Sequence, residues 1–122
     1  MTTYLHRCVA ALALMLPLAL ATQVNANPPG GPISGVNRAP AFGAGVHRVI
    51  YNGGEQADFS IAGDGDTTLN LIVRDANGVE IVRTRGPGDR CHVSWTPSRT
   101  AAFYIYVVNE GSVYNQYTWR AY

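Results

Sequence analysis

Oxygen-bearing side chains crowd into Gly63-Asp64-Gly65-Asp66-Thr67, and Asn70 follows in the same stretch. Donors at such spacing raise the chemistry of a hard cation, which takes about six to eight oxygens, several of them from carboxylates. Asp64, Asp66 and Asn70 form a poor set unless Asp75 or Asp89 approaches. The plainer reading is that Asp64 and Asp66 accept backbone N–H bonds within turns, with a metal at Asp64, Asp66 and Asn70 as the alternative. No cofactor is expected. A second set is aromatic and basic. In 102–109, Phe103, Ile105 and Val107 share one side of an alternating run, which sends Tyr104 and Tyr106 to the other. In 69–74 the same alternation sets Ile72 and Arg74 opposite Leu69, Leu71 and Val73. If the two strands share a sheet, Tyr104, Tyr106 and Arg74 form one outer surface suited to sugar or protein recognition, since tyrosine offers contact area and a polar tip at low entropic cost. Ordinary cross-strand packing of β-forming residues is the competing explanation of those tyrosines.

Nucleophilic chemistry finds little support. Beyond the first 26 residues the histidines are His47 and His92, and neither sits at a metal-ligand spacing. There is no Gly-x-Ser-x-Gly elbow and no phosphate-cradling glycine loop. Cys91, Val93 and Trp95 fall on one face of their strand and His92 and Ser94 on the other, so Cys91 and His92 cannot pair, and Cys91 reads as a buried, inert thiol. The chain is therefore not expected to be an enzyme. Carboxylates converging in space, as glycosidases require, leave a small exported hydrolase as the alternative.

The elements that must position these residues are strands. Apolar, β-branched and aromatic runs at 46–51, 56–62, 69–74, 79–84, 91–96, 102–109 and 114–122 are each bounded by Gly, Pro, Asn or Asp. Asp75-Ala76-Asn77-Gly78 joins the third to the fourth as a hairpin, because its Asn-Gly pair tolerates left-handed backbone angles. No helical periodicity appears. Short strands with frequent turn signals predict an all-β, antiparallel, jelly-roll-like sandwich of about seven to eight strands, in which Trp95, Tyr117 and Trp119 face the core.

Before these strands lie two segments of different character. His6 and Arg7 precede an apolar run over 9–20, and Val24-Asn25-Ala26 offers the small residues of a cleavage site. This predicts a signal peptide over 1–26, removed to leave a secreted or periplasmic protein with Asn27 first. An apolar run of about a dozen residues is short of the roughly 20 that span a bilayer, so no membrane span is expected in the mature form. Cys8 would leave with the leader. Residues 27–45, rich in Pro and Gly, predict a flexible segment, and 46–122 the folded domain. Nine arginines, no lysine and eight acids give a formal net charge of +1, too weak a basic balance for nucleic-acid binding.

Taken in order, Gly63-Asp64-Gly65-Asp66-Thr67, Leu69-Asn70-Leu71-Ile72-Val73, Asp75-Ala76-Asn77-Gly78, Val93-Ser94-Trp95-Thr96-Pro97, Phe103-Tyr104-Ile105-Tyr106-Val107 and Asn115-Gln116-Tyr117-Thr118 resemble the bacterial pre-peptidase C-terminal domain. The resemblance runs from Gln56 to the end. It implies a jelly-roll-like sandwich, usually appended to secreted proteases and other exported enzymes, non-catalytic, and associated with secretion, folding or substrate attachment. The family often carries acids at the positions of Asp66, Thr68 and Asn70, two of which are lacking here. With no enzyme attached, the resemblance implies a partner on a separate chain, and the expected function is a secreted or periplasmic binding or accessory module for an exported protein, a polysaccharide or an envelope component.

Overall fold

Alternating sequence becomes eight strands in the computed structural model, which describes residues 27–122. They are β1 Ile33–Ala39, β2 Ala44–Tyr51, β3 Ala57–Ala62, β4 Leu69–Arg74, β5 Glu80–Arg83, β6 Arg90–Trp95, β7 Ala101–Asn109 and β8 Asn115–Ala121. Every pairing is antiparallel. One sheet has the order β1-β8-β3-β6 and the other β2-β7-β4-β5. Consecutive strands thus fall in opposite sheets at β1/β2, β2/β3, β3/β4, β5/β6, β6/β7 and β7/β8, the double Greek key of a jelly roll. Among the described residues no helix is long and apolar enough to cross a membrane.

The core is the row of inward residues that the alternation marks. Val49 and Tyr51 from β2, Leu69, Leu71 and Val73 from β4, and Phe103, Ile105 and Val107 from β7 face Phe59, Ile61, Val93 and Tyr117 of the other sheet. Trp95 and Trp119 are half-buried and pack against it. The 69–82 hairpin forms as expected. Gly78 has φ 83°, and the Asp75 carboxylate accepts from Asn77 N and Val79 N, both at 2.9 Å. A register shift between Val73 and Arg74 bends its end.

Residues 27–45 are not the flexible segment that their Pro and Gly content predicts. β1 pairs with β8 over its whole length, from Ile33↔Ala121 to Ala39↔Asn115. Asn27 is 1 % exposed. Its side chain donates to Asn52 O at 3.1 Å and Glu55 O at 2.8 Å and accepts from Asn52 N. Ordering comes from backbone pairing with an edge strand and from one buried amide, not from apolar burial, and most β1 side chains are exposed. The folded part therefore includes Asn27 and β1, which lie before the expected residue 46. The expected leader over 1–26 lies outside the described residues.

Cys91 is 3 % exposed, as its parity requires. Cys8, which the expected leader would carry away, lies outside the described residues.

Candidate functional site: the outer face of the β2-β7-β4-β5 sheet

Register places the expected surface residues side by side. Tyr104 of β7 lies opposite Arg48 of β2 on one side and Arg74 of β4 on the other. On the next rung Tyr106 lies between Val46 and Ile72, with Arg83 of β5 beyond Ile72. Tyr104, Tyr106 and Arg74, which the sequence brought together only on condition of a shared sheet, do share one. The Arg74 guanidinium stands 5.6 Å from the Tyr106 ring centroid, and its Nη1 donates to Gly78 O at 3.2 Å. The stacking and the hydrogen bond fix a long side chain that would otherwise be mobile.

The sequence did not mark β2 as a contributor. Val46 and Ile50 leave 49 % and 42 % of their surface in solvent, and with Arg48 they extend the tyrosine rungs by one strand. Their alternation with buried His47, Val49 and Tyr51 was the available signal. Which sheet they joined was not legible, since β2 pairs with β7 across the intervening residues 52–100. At the far end, Asn70, Ile72, Arg83, Arg85, Val108 and Glu110 border a depression of about 460 Å³.

Charge on this face is uneven. Glu80 holds Arg83 in a two-pronged ion pair, 2.7 and 2.9 Å, and hydrogen bonding from Arg83 draws the Glu80 carboxyl below the usual range. Glu110 accepts from Asn70 Nδ2 at 2.6 Å. Among the described residues Arg48 and Arg74 enter no direct ion pair, although Arg74 lies opposite Glu80 and its charge helps lower that carboxyl. Apolar, tyrosine and arginine contacts with few acids are the composition of a recognition surface.

The Asp64 turn takes the plainer course. Asp64 Oδ2 accepts from Gln116 N at 2.9 Å and Oδ1 from Asp66 N at 3.0 Å, and the Gln116 bond in particular lowers its carboxyl below the ordinary value. Asp89 does approach, accepting from Gly65 N at 2.7 Å and from Asn115 Nδ2 at 3.1 Å. Asn70 lies in another network on the other sheet, with Thr84 and Glu110. Asp64, Asp66 and Asn70 are therefore not brought together. Among the described residues no three acidic, His or Cys side chains cluster as a metal site would need.

On the opposite sheet the sequence missed a contact among Asp58, His92 and Ser94. Ser94 Oγ donates to Asp58 Oδ1 at 2.5 Å, and His92 Nε2 lies 2.8 Å from the same oxygen. A hydrolytic triad uses two different imidazole nitrogens, one toward the acid and one toward the hydroxyl. Here one nitrogen faces both, 3.5 Å from Ser94 Oγ, so serine and histidine clamp the carboxylate. Finding it required the β3–β6 register Asp58↔Ser94.

No protein-family model matches the chain, and no curated protein matches it.

Proposed function

We propose that this protein is an exported, non-catalytic binding module that docks a partner protein through the outer face of the β2-β7-β4-β5 sheet. The observation that carries the reading is the rung Arg48–Tyr104–Arg74, two guanidiniums outside any direct ion pair among the described residues on either side of a tyrosine, bordered by exposed Val46 and Ile50. Tyr and Arg are the residues most enriched where partners bind tightly, and exposed aliphatics beside them supply apolar area. The cations select a partner with acidic residues facing them and speed its approach at low salt. Export rests on the leader-like 1–26 segment and agrees with the accessory role that the pre-peptidase C-terminal resemblance implies.

The test is capture of partners from the source envelope fraction by wild type and by the Tyr104→Ser/Tyr106→Ser variant, both at equal melting temperature. The expected result is a discrete protein retained by wild type and lost by the variant. Retention by both removes this face from the account.

A further inference from the structure

The other outer face carries a different surface. Across β1-β8-β3-β6, one rung reads Ser34–Arg120–Ser60–His92 and the next Val36–Thr118–Ala62–Arg90. Neighbouring strands lie about 4.8 Å apart, so Arg120 and His92 rise on either side of Ser60 with roughly 10 Å between their backbones. Ser60 and Ala62 are too short to fill the space between the long side chains. The result is a trough of about 470 Å³, within the range of about 300–1,000 Å³ typical of small-ligand sites.

The side chains of its walls are held in place. The Arg120 guanidinium stacks 4.8 Å from the Tyr122 ring, and the His92 ring lies near-parallel to the same tyrosine, 26° between planes and 6.3 Å between centroids. One aromatic side chain thus orients both groups. Among the described residues Arg90 and Arg120 make no ion pair. Of the acids flanking these rungs, Asp58 is clamped by His92 and Ser94 and contacted by Gln56 Nε2 at 3.3 Å, and Asp64 on the other flank accepts from Gln116 N and Asp66 N, while Arg90 and Arg120 stand at diagonal corners of the trough. Ser34, Ser60 and Thr118 add hydroxyls along the floor and wall.

We infer that this trough binds an anionic saccharide. A carboxylate or sulfate of the sugar sits between Arg90 and Arg120, whose planar forks match either group. Ser34, Ser60 and Thr118 exchange hydrogen bonds with sugar hydroxyls. Lined by Ser34, Ser60 and Thr118 together with Ile61, Trp119 and the two arginines, the trough differs in kind from the tyrosine face, and the two sites stand or fall separately.

The experiment is calorimetric titration of the purified protein with oligogalacturonate, with a heparin-derived oligosaccharide and with a neutral dextran oligomer. Expected is saturable binding of at least one of the two anionic sugars, none of dextran, and competition by inorganic sulfate. The sugar that binds identifies carboxylate or sulfate as the anion. In Arg90→Ala/Arg120→Ala the dissociation constant should rise at least tenfold, with partial recovery in Arg90→Lys/Arg120→Lys. Ser60→Trp, which fills the trough from an outward position, should abolish binding, and Tyr104→Ser/Tyr106→Ser should leave it unchanged. Binding of neither anionic sugar, equal binding of dextran, or an unchanged constant in the double alanine variant overturns the inference. So does capture of an acidic peptide in the trough with no sugar binding.

Discussion

His47 of β2 and Tyr117 of β8 share a buried hydrogen bond, Nε2 to Oη at 2.7 Å, that ties one sheet to the other. The imidazole also packs against Trp119, 4.6 Å between centroids, and against Phe59 at 5.6 Å. Burial pushes the His47 pKa below its ordinary 6.5 and the Tyr117 phenol up to about 12. The pair is therefore neutral near pH 7, as an interior position requires.

Two opposite pH limbs are expected from this pair. The unfolded chain binds the histidine proton more readily, so this part of the stability is full above about pH 6.5 and is lost as pH falls toward the lowered folded value. The unfolded tyrosine ionises first at the alkaline end, so its contribution is full below about pH 10 and is lost as pH rises toward 12. Urea midpoints measured from pH 5 to 11 should show His47→Gln with a shallower acid limb and Tyr117→Phe with a shallower alkaline one. Unchanged acid slope in His47→Gln would refute the assignment.

Gly45→Ala should destabilise the fold by roughly 1–3 kcal/mol, because overpacking forces well-packed neighbours to move. A methyl at position 45 would overlap Tyr117 Oη, and the phenol cannot retreat without releasing His47. Thermal unfolding of the variant checks it. A matched loss in a Gly45→Ala/Tyr117→Phe pair that is less than additive would locate the strain at that oxygen.

Asn27→Ala should cost roughly 1–3 kcal/mol, since it strands buried backbone partners at Asn52 and Glu55. Removing 27–39 should cost more, because β8 then becomes an unpaired edge. Amide exchange along β8 should rise in the truncated chain and stay slow in the intact one.

Legibility in the sequence followed the source of each stabilising interaction. Strands β2 to β8 and their inward faces were readable, because burial of Leu69, Leu71, Val73, Phe103, Ile105 and Val107 imposes a two-residue period. β1 was not, because Ile33 and Val36 are exposed and the strand is held by backbone pairing that leaves no apolar pattern. At the site, Tyr104, Tyr106 and Arg74 were readable as outward residues. Their meeting with Arg48, and that of Asp58 with His92 and Ser94, depended on long-range register, which no local signal encodes.

Calcium should change stability little. Asp64 and Asp89 already accept backbone amides, and Asn70 bonds elsewhere. A ligand that binds only the folded state at 100 times its dissociation constant adds about 2.7 kcal/mol, a rise of many degrees in a domain of this size. Melting in millimolar calcium and in chelator should coincide within a degree, and a large separation would reveal a site at this turn.

Inside and outside of β7 should separate cleanly. Ile105→Ala should cost roughly 2–5 kcal/mol as a fully buried truncation. Tyr106→Ser should cost about 1 kcal/mol or less, chiefly through its stacking with Arg74. Denaturant titration of the two variants checks the ordering.

Photo-crosslinking tests the docking face most directly. The photo-reactive residue p-benzoylphenylalanine replaces Tyr104 in one protein and Gln116, exposed on the opposite sheet, in another, and both are irradiated in the envelope fraction. The account predicts one discrete protein adduct from position 104, none of it from position 116, and its disappearance when Arg48→Glu and Arg74→Glu are added. Equal adducts from both positions, or a position-104 adduct indifferent to the arginine changes, would contradict it.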